Sequence, residues 1–194
     1  MSPLLLFVIF GGAPLAWYFW HEHKLNTPSL QWPSMKTVLG LTYEATPPRL
    51  GGAWNGRKVA IEADAEGVTI TAWLNAETSL RVECGLRELV TTRAGMLVPD
   101  AVEPVETAFR EKLLARCSNK SAGPLVFDAT MQQRLADLKV VDFVGENFRV
   151  VWKVPVVKDF NETEALLGAL CAVADGLESF PKGGGMPSAQ AKRP

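Results

Sequence analysis

From Lys58 to Cys84 the side chains alternate between apolar and polar, and this period of two commits the middle of the chain to a sheet with one buried face. Val59, Ile61 and Ala63 share one side, with Lys58, Glu62 and Asp64 on the other. Val68, Ile70, Ala72 and Leu74 oppose Thr69 and Thr71, and Leu80, Val82 and Cys84 oppose Arg81 and Glu83. Asn55-Gly56, set between Trp54 and Arg57, signals a two-residue hairpin, because both central positions of a type I′ turn take positive φ. Glu66-Gly67 marks the next turn. The pattern predicts an antiparallel meander over 49–84, polar on one face and buried on the other.

Beyond Cys84 the spacing changes. Val105, Ala108, Phe109, Leu113 and Cys117 form a stripe at helical spacing, with acidic Glu103 and Glu106 before basic Arg110, Lys112 and Arg116, so a helix is expected over 103–117. Asp128 is placed to cap a second helix carrying Met131, Leu135 and Leu138. Val141 and Phe143 then lead through Gly145-Glu146-Asn147 into Phe148, Val150, Trp152 and Val154, which reads as a hairpin. Asn161 and Glu164 resemble a capping box for a last helix striped by Leu166, Leu170, Val173, Leu177 and Phe180, and Pro181 ends it.

The N-terminus imposes a different constraint. No charged side chain occurs in the first twenty residues, and the run 3–20 (PLLLFVIFGGAPLAWYFW) is apolar throughout. Eighteen helical residues would span about 27 Å, near the roughly 30 Å of a hydrocarbon core. The run lacks the basic flank of a cleaved signal, and Pro14 follows the small residues that cleavage would use. Trp17, Tyr18 and Trp20, followed by Lys24, form the expected membrane interface. Lys24, Lys36, Arg49, Arg57 and Lys58 against Glu22 and Glu44 give residues 21–58 three excess positive charges. That excess predicts a single pass through the inner membrane with the domain on the cytoplasmic side, a periplasmic domain being the alternative.

The expected fold is therefore α+β: one N-terminal transmembrane helix, then one domain with an antiparallel sheet of about five to seven strands and about three packed helices. The divisions are an anchor and interface at 1–24, a linker at 25–48, a globular domain at 49–181 and a disordered tail at 182–194. The linker is rich in proline and holds one short element, Ser34–Tyr43. There Ser34 would cap a helix, or Thr37, Leu39, Leu41 and Tyr43 would alternate as a strand.

Chemistry is sparse. The net charge of −1 argues against nucleic acid as a partner. Three cysteines, Cys84, Cys117 and Cys171, are odd in number, widely spaced and read as free buried thiols. No nucleophile elbow, phosphate-binding loop or metal-binding motif occurs, so no catalytic residue, no metal, no cofactor and no small-molecule substrate is assigned. His21 and His23 are the only histidines, and as axial ligands they are weak candidates, since residues two apart do not share a helix face. The candidate partner contacts are Trp54, Arg57 and Lys58 at the hairpin tip and Trp73 on the polar face of its strand, where a helix covers it or a partner does.

The role these features imply is a non-catalytic accessory or scaffold subunit. It would contact membrane lipid and other integral-membrane subunits of a larger assembly, for instance a respiratory or photosynthetic one. The alternatives are a membrane-tethered enzyme acting on lipid or envelope substrates, which needs a polar cleft, and a membrane-anchored ligand-binding sensor, which needs an apolar pocket inside the sheet.

Overall fold

A computed structural model describes residues 12, 14–19, 31–63, 67–92, 100–157 and 159–183. Its strands are β1 (Thr42–Ala45), β2 (Pro48–Trp54), β3 (Arg57–Ala63), β4 (Val68–Trp73), β5 (Arg81–Leu86), β6 (Asp100–Ala101), β7 (Leu113–Cys117), β8 (Asp142–Glu146) and β9 (Arg149–Val154). They form one nine-stranded sheet in the order β1-β2-β3-β4-β9-β8-β5-β7-β6. Every pairing is antiparallel. The helices are α1 (14–19), α2 (Trp32–Leu39), α3 (Arg87–Thr92), α4 (Thr107–Lys112), α5 (Gly123–Val126), α6 (Ala129–Ala136) and α7 (Phe160–Glu178).

The α+β class stands, while the expected architecture is corrected in three ways. No helix among the described residues is long and apolar enough to cross a membrane, which overturns the expected transmembrane helix. Of the apolar run, residues 12 and 14–19 are described. Residues 1–11, 13 and 20–30, with the rest of the expected anchor, lie outside the described residues, as does 184–194 of the tail. The sheet has nine strands where five to seven are expected. The helices also outnumber the three expected.

The meander is real from β1 to β4, but β5 does not continue it. The β8–β9 hairpin lies between them, with β9 pairing to β4 and β8 to β5. Alternation fixes which face of a strand is buried and says nothing about its neighbour. The expected long helix at 103–117 is likewise shorter. Helix α4 stops at Lys112, and Leu113, Ala115 and Cys117 turn their buried sides inward at every second residue of strand β7. Those three residues fit either period, and pairing of β7 with β5 along its length decides for the strand. Val105, assigned to the helical stripe, is 72% exposed.

Asp128 caps α6 as expected, its side chain accepting from the Met131 N–H. At α7 the cap is Asp159, which accepts from the Glu162 N–H, so the capping-box reading of Asn161 and Glu164 is displaced by two residues. The proline-rich stretch holds both elements read as alternatives: α2 first, then β1. Ser34 does not cap α2; its hydroxyl donates to the Gln31 carbonyl. Trp32 is wholly buried, and its indole N–H donates to the Val157 carbonyl.

Helix α7 lies along one face of the sheet and buries Leu166, Leu167, Leu170, Val173, Ala174 and Leu177. Gly145 in β8 is the point of closest approach. A Cβ there would come within 2.7 Å of Leu177 Cδ1 and 3.0 Å of Val82 Cγ2. Gly85 points the other way along β5, toward Val90 of α3, so α3 and α7 flank opposite faces. Phe143 lies between Phe127 and Trp152, with ring centroids 6.2 and 4.8 Å away. All three cysteines are buried and unpaired.

Candidate functional site

Two concavities stand out, one polar and one apolar. The polar one grows from the Asn55-Gly56 turn, where φ is +49° and +79°, as a type I′ hairpin requires. This turn sets Trp54 directly across from Arg57. Arg57 has the same strand parity as Val59 and Ile61, so its side chain points to the α7 face and is only 6% exposed. There it meets Asp175 and Glu178, one turn apart at the end of α7. One terminal nitrogen of Arg57 donates to Glu178 Oε1 at 2.7 Å and to the Trp73 carbonyl at 2.8 Å. The other donates to Glu178 Oε2 at 3.0 Å and to Asp175 Oδ1. The Asn75 backbone N–H donates to Glu178 Oε1 at 2.6 Å.

The charges explain one another. Carboxylates in a helix's last turn oppose its dipole, and α7 has no basic residue there. Arg57 supplies the cation from the hairpin instead. Its hydrogen bonds, with help from Asn75, hold the Glu178 carboxyl below the ordinary range, and the Glu178 bond in turn raises Arg57. Beside them Cys171 has its thiol pushed up to about 11, chiefly by burial. The pocket has a volume of about 490 Å³. Trp54 and Arg134 are its walls, and Gly168, Cys171 and Ala172 of α7 its floor.

The apolar cleft lies at the other end of β4, on the face that carries α3. It is lined by Leu86 and Leu89, by Val140 and Val141, and by Val154 and Pro155, with Lys139, Asp142 and Lys153 among them. Its volume is about 330 Å³. Leu86 and Leu89 on its wall remain 51% and 45% exposed.

The candidate partner contacts separate into two groups. Trp54 and Arg57 belong to the polar pocket, and Arg57 is a buried, ion-paired group there, not a solvated tip charge. Lys58 and Trp73 face the opposite side, with the Lys58 ammonium 4.8 Å from the Trp73 ring centroid. Trp17 and Tyr18 lie on α1, 63% and 55% exposed, while Trp20, His21, His23 and Lys24 lie outside the described residues. Among the described residues no three His, Cys, Asp or Glu side chains gather as metal ligands.

Sequence reasoning missed Asp175, Glu178, Asn75 and Arg134. Two acids closing a helix, where the dipole favours cations, were a readable sign that a distant cation faces them. The cleft gave no such sign, because Leu86 and Leu89 are joined to the others only by the fold.

No family model and no curated protein matches this sequence. Among solved structures, the chain is similar to the mycobacterial trehalose monomycolate transport factor A, TtfA, with a TM-score of 0.57. The two share 16% identity over 81% of this chain and 96% of that one, so the likeness is one of fold.

Proposed function

We propose that this protein is a non-catalytic accessory factor in the transport of cell-envelope lipid. It holds part of an acyl chain in the apolar cleft while working beside a membrane-embedded transport assembly. The observation that carries the reading is the cleft itself, with two half-exposed leucines on its wall. Its volume of about 330 Å³ is at the small end for ligand sites, suited to part of one chain, and each methylene taken from water contributes about 0.8 kcal/mol. The fold likeness to a trehalose monomycolate transport factor supports lipid-transport machinery as the partner class, ahead of a respiratory or photosynthetic assembly. The exposed Trp17, Tyr18 and Phe19 of α1 add a surface suited to a membrane interface.

Displacement of a fluorescent long-chain fatty acid from the purified protein tests the cleft. Leu89→Asp should weaken binding about tenfold or more, with the melting midpoint held within about 2 °C because the side chain is already half exposed. Equal affinity in the two proteins, or no saturable binding by the wild type, refutes the reading. Purification in mild detergent tests the partner: a chain that runs alone, with no integral-membrane protein attached, contradicts the accessory role.

A further inference from the structure

The polar pocket is not needed for holding an acyl chain, and its composition points to a different ligand. We propose that it binds a neutral polyhydroxylated molecule of the sugar class. Three observations converge. First, the helix side of the pocket is built from small residues: half-buried Gly168 and Ala172 and buried Cys171 line a volume of about 490 Å³. A Cβ at Gly168 would lie 3.9 Å from Trp54 Cη2, so the indole rests close against the helix at its glycine. Secondly, the wall on the hairpin side is the half-buried Trp54 indole, an apolar plate of the kind on which the C–H face of a sugar ring packs.

Thirdly, the charges cancel. Arg57 and Arg134 face Asp175 and Glu178, so an anion gains no excess of cations and a cation no excess of carboxylates. Arg57 is already committed to both carboxylates and to the Trp73 carbonyl. What remains for a ligand is a set of neutral-to-neutral and charge-assisted hydrogen bonds. Asp175, its side chain 71% exposed, accepts from hydroxyls, and exposed Arg134, held to the Gly168 carbonyl only at 3.5 Å, donates to them. A polyol has both partners in every hydroxyl. Phosphate and ammonium ligands have one kind each.

This inference goes beyond the acyl-chain reading and does not depend on it. The pocket and the cleft lie at opposite ends of β4, and a six-residue strand separates its ends by about 17 Å. Free sugar and the sugar headgroup of a lipid share the chemistry, and the experiment separates them.

Saturation-transfer NMR on the full chain is run with free trehalose, with a trehalose monoester in micelles and with glucose 6-phosphate. Transfer to sugar protons is expected from trehalose or from the ester, and the phosphorylated sugar should bind at least about tenfold more weakly than the neutral one. A signal from both neutral probes identifies a site for free sugar; a signal from the ester alone identifies a headgroup site. Trp54→Ala and Arg134→Ala should each reduce that signal about tenfold. Arg134 is exposed, so its variant should keep the wild-type melting midpoint and serve if Trp54→Ala fails to fold. Leu89→Asp should leave the sugar signal unchanged, whatever it does to acyl binding. No transfer to either neutral probe, tighter binding of the phosphorylated sugar, or full signal in Arg134→Ala overturns the proposal.

Discussion

Arg57 shows how much one side chain can organise. It closes the hairpin tip onto the end of α7 by bonds to two carboxylates and one carbonyl. Arg57→Met would strand Glu178, only 22% exposed, and should cost about 2–3 kcal/mol in urea unfolding. Adding Glu178→Leu should recover most of that loss, because removing both members of a buried pair is gentler than removing one. A double variant no more stable than the single would show that the guanidinium acts through packing instead. Acid should mimic the single change. Glu178 titrates below its ordinary value of 4.5 in the folded state, so its contribution is present above pH 4.5 and lost as pH falls through the folded value. Alkali acts through a different group. Cys171 rises from 9.0 to about 11, so stability should decline as pH climbs between those values; burial also raises the Cys84 and Cys117 thiols, so Cys171→Ala should reduce the slope of that limb and not abolish it. At this scale the sequence showed Arg57 as a charge beside a turn. Its burial follows from strand parity, and its carboxylate partners, more than a hundred residues away, follow only from where α7 ends.

At the scale of elements, the least ambiguous patterns were the most faithful. Strands β3 and β4 came from alternation, although Ala60 and Thr71 on the face read as polar are buried as well, α6 came from its Asp128 cap, and the β8–β9 hairpin from two alternating runs about a turn. The failures have a common physical cause. Leu113, Ala115 and Cys117 satisfy a helical stripe and a strand face equally, and the choice is made by β5, which pairs with them. Strand β2, with Gly51 and Gly52 inside it, has poor intrinsic propensity and is held between β1 and β3. The packing of α7 on β8 offers a direct test. At Gly145 an added methyl would press on Leu177, Val82 and Val150 at once, so Gly145→Ala should destabilise by about 1–3 kcal/mol through overpacking. Paired with Leu177→Ala, itself destabilising at a fully buried site, it should cost less than the sum of the two single changes, and simple additivity would show that the contact does not limit the packing.

For the whole molecule, the α+β class was legible, but strand order was not. Order depends on the β8–β9 hairpin inserting between β4 and β5, a long-range event that leaves no local signature. The two concavities are separated along β4 and by the sheet itself. One opens by the hairpin tip and the end of α7, the other beside α3 at the far end of β4, and they share no lining residue. In the proposed role, two such concavities would either be loaded independently or be bridged by one extended ligand. Additivity decides between these. If the sites are independent, Leu89→Asp and Arg134→Ala should each affect one probe, and the double variant's losses should equal the single losses within about 0.5 kcal/mol. If a single glycolipid spans both, each variant should weaken binding of the intact lipid, and their combination should cost less than the sum once one end has already released. About 17 Å of strand and the opposite faces of the sheet lie between the sites, which favours independence.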